Sequence, residues 1–399
     1  MTPAYLSALG VICALGQGKQ AVARALLAGD SHGMQAQKAG VDGQVLTVGA
    51  VSTALPEMPP GLAAAHSRNN QLLLAAALEI EDDIGRIIDC CGADRIGVVV
   101  GTSTSGIAET EAAIHTWQAT GRLPADYRYA RQEISAPAVF LSHWLGLSGP
   151  CYSLSTACTS SARALISAAR LLHQGLCDAV LVAGVDSLCK LTLHGFSALE
   201  AVSPTRCNPF SAHRNGINIG EAAAIFIMTR KPWFDVSLAL LGAGASSDAW
   251  HISAPHPDGA GALSAMRQAL TRARMQPGDI AYLNLHGTAT WHNDAMESHA
   301  VAALFPEGVP CSSTKPLSGH TLGAAGALEA AFCWLTLSHY NTATRLPPHL
   351  WDGVHDPALP PLDFITGQRL PDATAPCRLM SNSFAFGGNN VSLIFGNCP

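Results

Sequence analysis

A cysteine at a strand-to-helix corner is the residue in this chain best placed to do chemistry. Cys151-Tyr152-Ser153-Leu154-Ser155-Thr156 reads as a short strand. After it, Ala162, Leu165, Ile166, Ala169 and Leu172 recur at helical spacing, and Gly175 stands where a helix-ending glycine belongs. Cys158 falls between the two. Unpaired backbone N–H groups and the positive end of the helix dipole converge at such a corner and favour a thiolate. The bend also lifts the side chain clear of the sheet, as in the nucleophile elbow of serine enzymes. The competing reading is a small, inert core cysteine.

Three later segments carry polar groups that suit a partner role. Asn284-Leu285-His286-Gly287-Thr288-Ala289-Thr290 ends a strand on a histidine, which projects into a cleft or is a hydrogen-bonded structural residue. Lys315 and His320 flank a Pro/Ser/Gly loop, and His320 is expected to enter a Gly/Ala-rich helix running to Trp334. Glu329 is a rare charge inside that helix, either on an exposed face or as a buried acid tied to the site. Phe384 and Phe386, beside Gly387 and Gly388, make an aromatic gate or a packed turn. His286, His292 and Asp294 offer a metal reading, but no second ligand cluster supports it, so no metal is expected. The small-residue loop Gly101-Thr102-Ser103-Thr104-Ser105-Gly106 lacks the lysine of a phosphate-binding P-loop and reads as a channel lining or turn.

These residues need a scaffold of strands ending at one cleft. β-branched and apolar runs at 95–100, 178–184, 221–229, 238–242 and 280–286 read as strands, and 67–88 and 263–274 as helices. The alternation predicts an α/β fold with its site at strand C-terminal ends. The pattern restarts near Lys231-Pro232, dividing the chain into halves 1–231 and 232–399, with no residue-level repeat between them. Of 399 residues, 13% are charged and 48% hydrophobic, which predicts extensive burial and excludes a disordered role. A net charge of −6 without a basic block argues against nucleic acid as a partner. The twelve cysteines show no C-x-x-C pair, so a reducing, cytoplasmic setting is expected. No membrane span or signal segment is read.

Taken together, Thr156-Ala157-Cys158-Thr159-Ser160, the His286-Gly287-Thr288 segment, Lys315 with Gly319-His320-Thr321-Leu322-Gly323-Ala324-Ala325-Gly326, and Asn382-Ser383-Phe384-Ala385-Phe386-Gly387-Gly388 resemble the elongating, Cys-His-His β-ketoacyl-acyl-carrier-protein synthases. The loop Cys207-Asn208-Pro209-Phe210-Ser211 is similar to that family as well. The resemblance implies the thiolase-like fold, two related halves in an αβαβα core, as a homodimer or as a heterodimer with a second ketosynthase-like subunit. It implies an acyltransferase that needs no cofactor and works on acyl carrier protein. Cys158 would hold an acyl thioester, and His286 and His320 would stabilise the enolate formed as malonyl loses CO2. Lys315 and Glu329 would support them. The backbone N–H groups of Cys158 and Phe386 would form the oxyanion hole, Phe384 and Phe386 the gate, and Thr104 and Phe196 the acyl pocket. Arg68, Arg128, Arg131, Arg206 and Arg214 are candidates for docking the acidic carrier.

Three departures point to a specialised member, such as a polyene or aryl-polyene synthase: Ala385 replaces a gate glycine, Thr104 an apolar or glycine residue, and Trp291-His292 follow the histidine motif. Two other readings remain open. A chain-length-factor-like partner would typically lack the cysteine, and a CoA-dependent thiolase would carry a second one near the C-terminus, where Cys377 and Cys398 have no suitable setting.

Overall fold

The computed structural model describes residues 2–40, 43–234, 238–371 and 376–397; Cys398 lies outside them. Among the described residues, eleven strands form one mixed sheet. In the first half, counting outward from the middle, Ala4–Cys13 is followed by Ala222–Thr229, Ala179–Asp186, Ile96–Gly101 and Cys151–Leu154. In the second half Leu238–Ser247 is followed by Asn389–Asn397, Arg378–Phe384, Tyr282–Asn284 and Cys311–Ser312. Both halves therefore run first, fifth, fourth, second, third in chain order, antiparallel for the first two pairings and parallel for the last two. The duplication that no residue-level repeat betrays is present in the topology. The halves join where Ala4–Leu6 pairs with Leu238–Leu240.

Side-chain alternation along the strands separates the layers. Val99, Val180, Val182 and Phe226 face a central core with the helices Ser160–His173 and Ala325–Leu337. Their neighbours Val98, Val100 and Leu181 face an outer layer built on Arg68–Leu78 and Ala136–Leu145. In the second half, Leu283, Met380 and Ile394 face Ala260–Ala273 and Trp291–Leu304. The layering is αβαβα, as expected. The two central helices touch through Gly326, where an added Cβ would stand 2.6 Å from Ala162 N.

Boundaries differ from expectation in two places. The stretch 67–88 is two helices, Arg68–Leu78 and Glu81–Cys91; the break falls at Ile80, φ −125° and ψ 24°, next to Glu79, whose side chain accepts the backbone N–H groups of Val11 and Lys19 at 2.9 and 2.7 Å. His320 stands ahead of its helix, bridging to Ile219, with a 3-10 turn at Leu322–Ala324 before Ala325–Leu337 begins. Among the described residues no helix is long and apolar enough to cross a membrane.

Candidate functional site

Cys158 and His320 occupy equivalent places in the two halves, each between the third strand and the central helix. Ala157, with φ 52°, turns the chain before Cys158, and Ser160 Oγ ties the corner by accepting from Thr156 N at 2.9 Å and donating to Ala157 O at 2.5 Å. On the other side, His320 donates its N–H to Asn218 O at 2.6 Å and accepts from Gly220 N at 2.9 Å, so the long loop 203–220 holds the histidine's backbone. His320 Nε2 lies 3.0 Å from Cys158 Sγ. His286 meets His320 edge-on, ring centroids 5.2 Å apart, and one ring nitrogen of each histidine lies with the sulfur inside a 4.8 Å span. All three residues are buried.

Lys315 begins a short helix and points inward to donate to Glu329 at 2.6 Å, to the His286 carbonyl, and to His286 Nδ1 at 3.4 Å. An ammonium at Nδ1 makes that nitrogen the acceptor and leaves the ring proton on Nε2. Glu329 is buried, which settles the choice left open by its sequence position. Burial raises its carboxyl pKa, and the Lys315 charge pulls it back. Burial first, and Lys315 second, hold both imidazoles well below the usual histidine range, so both are neutral.

The thiol departs from the expectation drawn from the helix dipole. Burial pushes Cys158 up to about 12, against the pull of Lys315. Desolvation of the charged form outweighs the Lys315 cation and the backbone hydrogen bond at Cys158. The resting pair is thus a thiol facing a neutral imidazole.

A cavity of about 530 Å³ reaches the sulfur, lined by Phe196, His286, His320, Phe384 and Phe386 among others. Phe384 stands edge-on to His286 at 6.0 Å, and Phe386 packs on Phe196 at 5.6 Å. Ala385 and Gly387 donate their N–H groups to Asn389 O and Ile252 O. The left-handed positions of the turn fall on Gly387 and Gly388, φ 82° and 77°, and Ala385, where the gate glycine is replaced, is not left-handed.

Other expected residues sit elsewhere. Thr104 is absent from the cavity wall: its hydroxyl donates to buried Asp186 at 2.8 Å. The same carboxylate accepts the Ser103 and Thr104 N–H groups, so the loop does cradle an anion, but the chain's own. Buried Arg214 is tied to Asp356 at 2.6 Å, which removes it from a docking patch; Arg68 is tied to buried Glu221 at 2.5 Å with part of its side chain at the surface, and Arg128 and Arg206 are exposed. Asp294 faces inward to accept Phe210 N, Thr288 N and Ala289 N rather than joining His286 and His292 around an ion. The metal-competent trio among the described residues is Cys158, His286 and His320. Glu297 was not anticipated. It accepts His286 N at 2.8 Å and Gly287 N at 2.7 Å, and its signal was the Asp294-x-x-Glu297 spacing on the helix after the loop.

A buried thiol faced by two neutral imidazoles where two repeated halves meet defines an acyl-transfer enzyme of the thiolase-like class. The chain belongs to the β-ketoacyl synthase family: "Beta-ketoacyl synthase, N-terminal domain" matches residues 7–232 and "Beta-ketoacyl synthase, C-terminal domain" residues 238–348. It is 32% identical over 344 residues to 3-oxoacyl-[acyl-carrier-protein] synthase 2 of Staphylococcus aureus, covering 82% of this chain and 83% of that one. A chain in the complex of the ketosynthase ApeO with its chain length factor ApeC from Xenorhabdus doucetiae superposes with a TM-score of 0.93 at 45% identity, covering 100% of this chain and 98% of that one. A β-ketoacyl synthase from Burkholderia phymatum gives 0.85 at 29% identity, with 100% of both chains covered.

Proposed function

We propose that this chain is a 3-oxoacyl-carrier-protein synthase in which Cys158, His286, His320 and Lys315 carry a decarboxylative condensation. The observation that carries the reading is the 3.0 Å approach of His320 Nε2 to Cys158 Sγ beside a second neutral imidazole. In the first step Cys158 Sγ attacks the carbonyl of an acyl thioester. Its proton is released as the new S–C bond forms and is taken up by the departing carrier thiolate, so the step exchanges no net proton and leaves the His320 Nε2–H in place. The Cys158 and Phe386 N–H groups bind the oxyanion of the tetrahedral intermediate.

In the second step the malonyl thioester enters the emptied cavity. Its C–C bond to the carboxylate breaks, CO2 leaves, and the electron pair becomes an enolate whose oxygen accepts N–H bonds from His286 and His320. The enolate carbon attacks the acyl thioester, and Cys158 departs as a thiolate that takes one proton from solvent. Neutral imidazoles suit this because they donate to charge only as it develops. Lys315 fixes the His286 tautomer and Glu329 balances Lys315. Phe384 and Phe386 gate the cavity, and Phe196 borders the acyl chain.

We assign 1–231 and 232–399 as the two halves, acyl carrier protein as the donor of both thioesters, and a homodimer or a ketosynthase heterodimer as the assembly. The 45% identity to a chain of a ketosynthase–chain length factor complex supports a specialised member over a general one. Every described cysteine is free, which suits the cytoplasm. Mass spectrometry after incubation with a panel of acyl carrier proteins tests the reading. An acyl adduct on Cys158 that malonyl carrier protein then discharges as 3-oxoacyl product is expected. No adduct from any chain in folded protein would instead make this a pocket-shaping partner subunit.

A further inference from the structure

Asp186 ends the strand Ala179–Asp186, is fully buried, and has no cation among its hydrogen-bond partners. Its Oδ1 accepts from Thr102 Oγ1 at 2.7 Å and from Ser103 N, Thr104 N and Thr104 Oγ1, each at 2.8 Å. Its Oδ2 accepts from Gly323 N at 2.6 Å and Ser103 N at 3.1 Å. A buried carboxylate solvated by dipoles alone is costly to keep, and its donors come from two loops of opposite halves. One follows the strand Ile96–Gly101; the other is the turn three residues after His320.

Backbone strain sits at both ends of this knot. Ser105 has φ 47° and Leu322 φ 51°, left-handed values that are strained for a residue with a side chain. Such conformations persist where the surroundings over-determine them. Gly323 completes the fit, because a Cβ there would stand 2.7 Å from Asp186 Oδ2 and 2.7 Å from Ser103 N. The His320 segment is thus clamped from two sides: by loop 203–220 at His320 itself, and by Asp186 at Gly323. The Cys158 corner has its own ties through Ser160 and Thr159; it meets the knot in the 3.4 Å contact of Ser103 Oγ with Ala157 O, and the Asp186 charge acts weakly on the Cys158 thiol, raising its pKa.

We infer that Asp186 is a positioning residue for the decarboxylation step, holding the His320 turn of the second half at its working distance from the first. The inference rests on the proposed function. Asp186→Asn keeps an acceptor for one loop but turns an NH2 group toward the donors of the other, leaving donor against donor. The experiment measures both half-reactions in wild type and variant: acylation of Cys158 by mass, and CO2 release from malonyl carrier protein. For Asp186→Asn, kcat for CO2 release is expected to fall about tenfold or more with KM for the malonyl thioester within about threefold, while acylation stays within about threefold. If that variant does not fold, Gly323→Ala disturbs the same oxygen from the other side and is read identically. A loss shared equally by both half-reactions, or no loss in either, overturns the inference. Wild type failing in both half-reactions would instead refute the proposed function.

Discussion

Cys158 reacts from a protonated state. With its thiol pushed up to about 12 by burial, its alkylation by iodoacetamide is expected to rise about tenfold per pH unit from 7 to 9 without levelling. A plateau near neutral pH would mean a resting thiolate and contradict attack from the protonated state. Lys315 and Glu329 form a pair whose side chains are 2% and 4% exposed. Replacing one partner strands the other charge, so Lys315→Met and Glu329→Gln should each destabilise by about 3–5 kcal/mol. The double variant should cost less than the sum of the two. Additive losses in a urea-denaturation cycle would show that the pair is not coupled.

The elements that carry Cys158 and His320 must approach closely, and Gly326 is where they do. A Cβ there would stand 2.6 Å from Ala162 N and 2.7 Å from Ala162 Cβ. Gly326→Val should therefore cost about 1–3 kcal/mol from overpacking and move His320 relative to Cys158. Unchanged thermal stability and turnover would sink that reading of the helix contact. Much of this was legible in the sequence because it is local. The Cys158 corner, the strands at 95–100 and 221–229, and the histidine at a strand end all follow from periodicity and turn residues. What escaped depends on distant partners. The break of the 67–88 helix at Ile80 lies beside Glu79, whose side chain serves Val11 and Lys19, some 60 residues or more away in the chain. Thr104 faces Asp186 instead of the cavity, and Glu329 is buried by its pairing with Lys315. Glycine spacing could not reveal that Ala385 needs no left-handed backbone.

Across the whole molecule, buried neutral histidines link stability to pH. His349, stacked on Phe364 at 4.1 Å, is lowered by burial to about 3. As pH falls below about 6.5 the unfolded imidazole gains a proton that the folded one refuses. Its contribution is complete above that pH and lost on the acid side. Buried Glu297 and Asp294, raised by burial to about 7 and 6, act in the opposite sense, so the effect must be read as a difference. The stability gap between wild type and His349→Asn should shrink by about 2 kcal/mol between pH 7 and pH 5. A gap independent of pH would mean that His349 titrates in the folded protein as it does in the unfolded chain. The repeated strand order makes a larger claim: two halves exist to bring one thiol and two imidazoles together, buried at the end of a single cavity. CO2 release by Cys158-acylated protein supplied with malonyl carrier protein tests it most directly. His286→Ala and His320→Ala should each form the acyl adduct yet lose about 10²–10³ in CO2 release. Release at the wild-type rate from either variant would contradict the account.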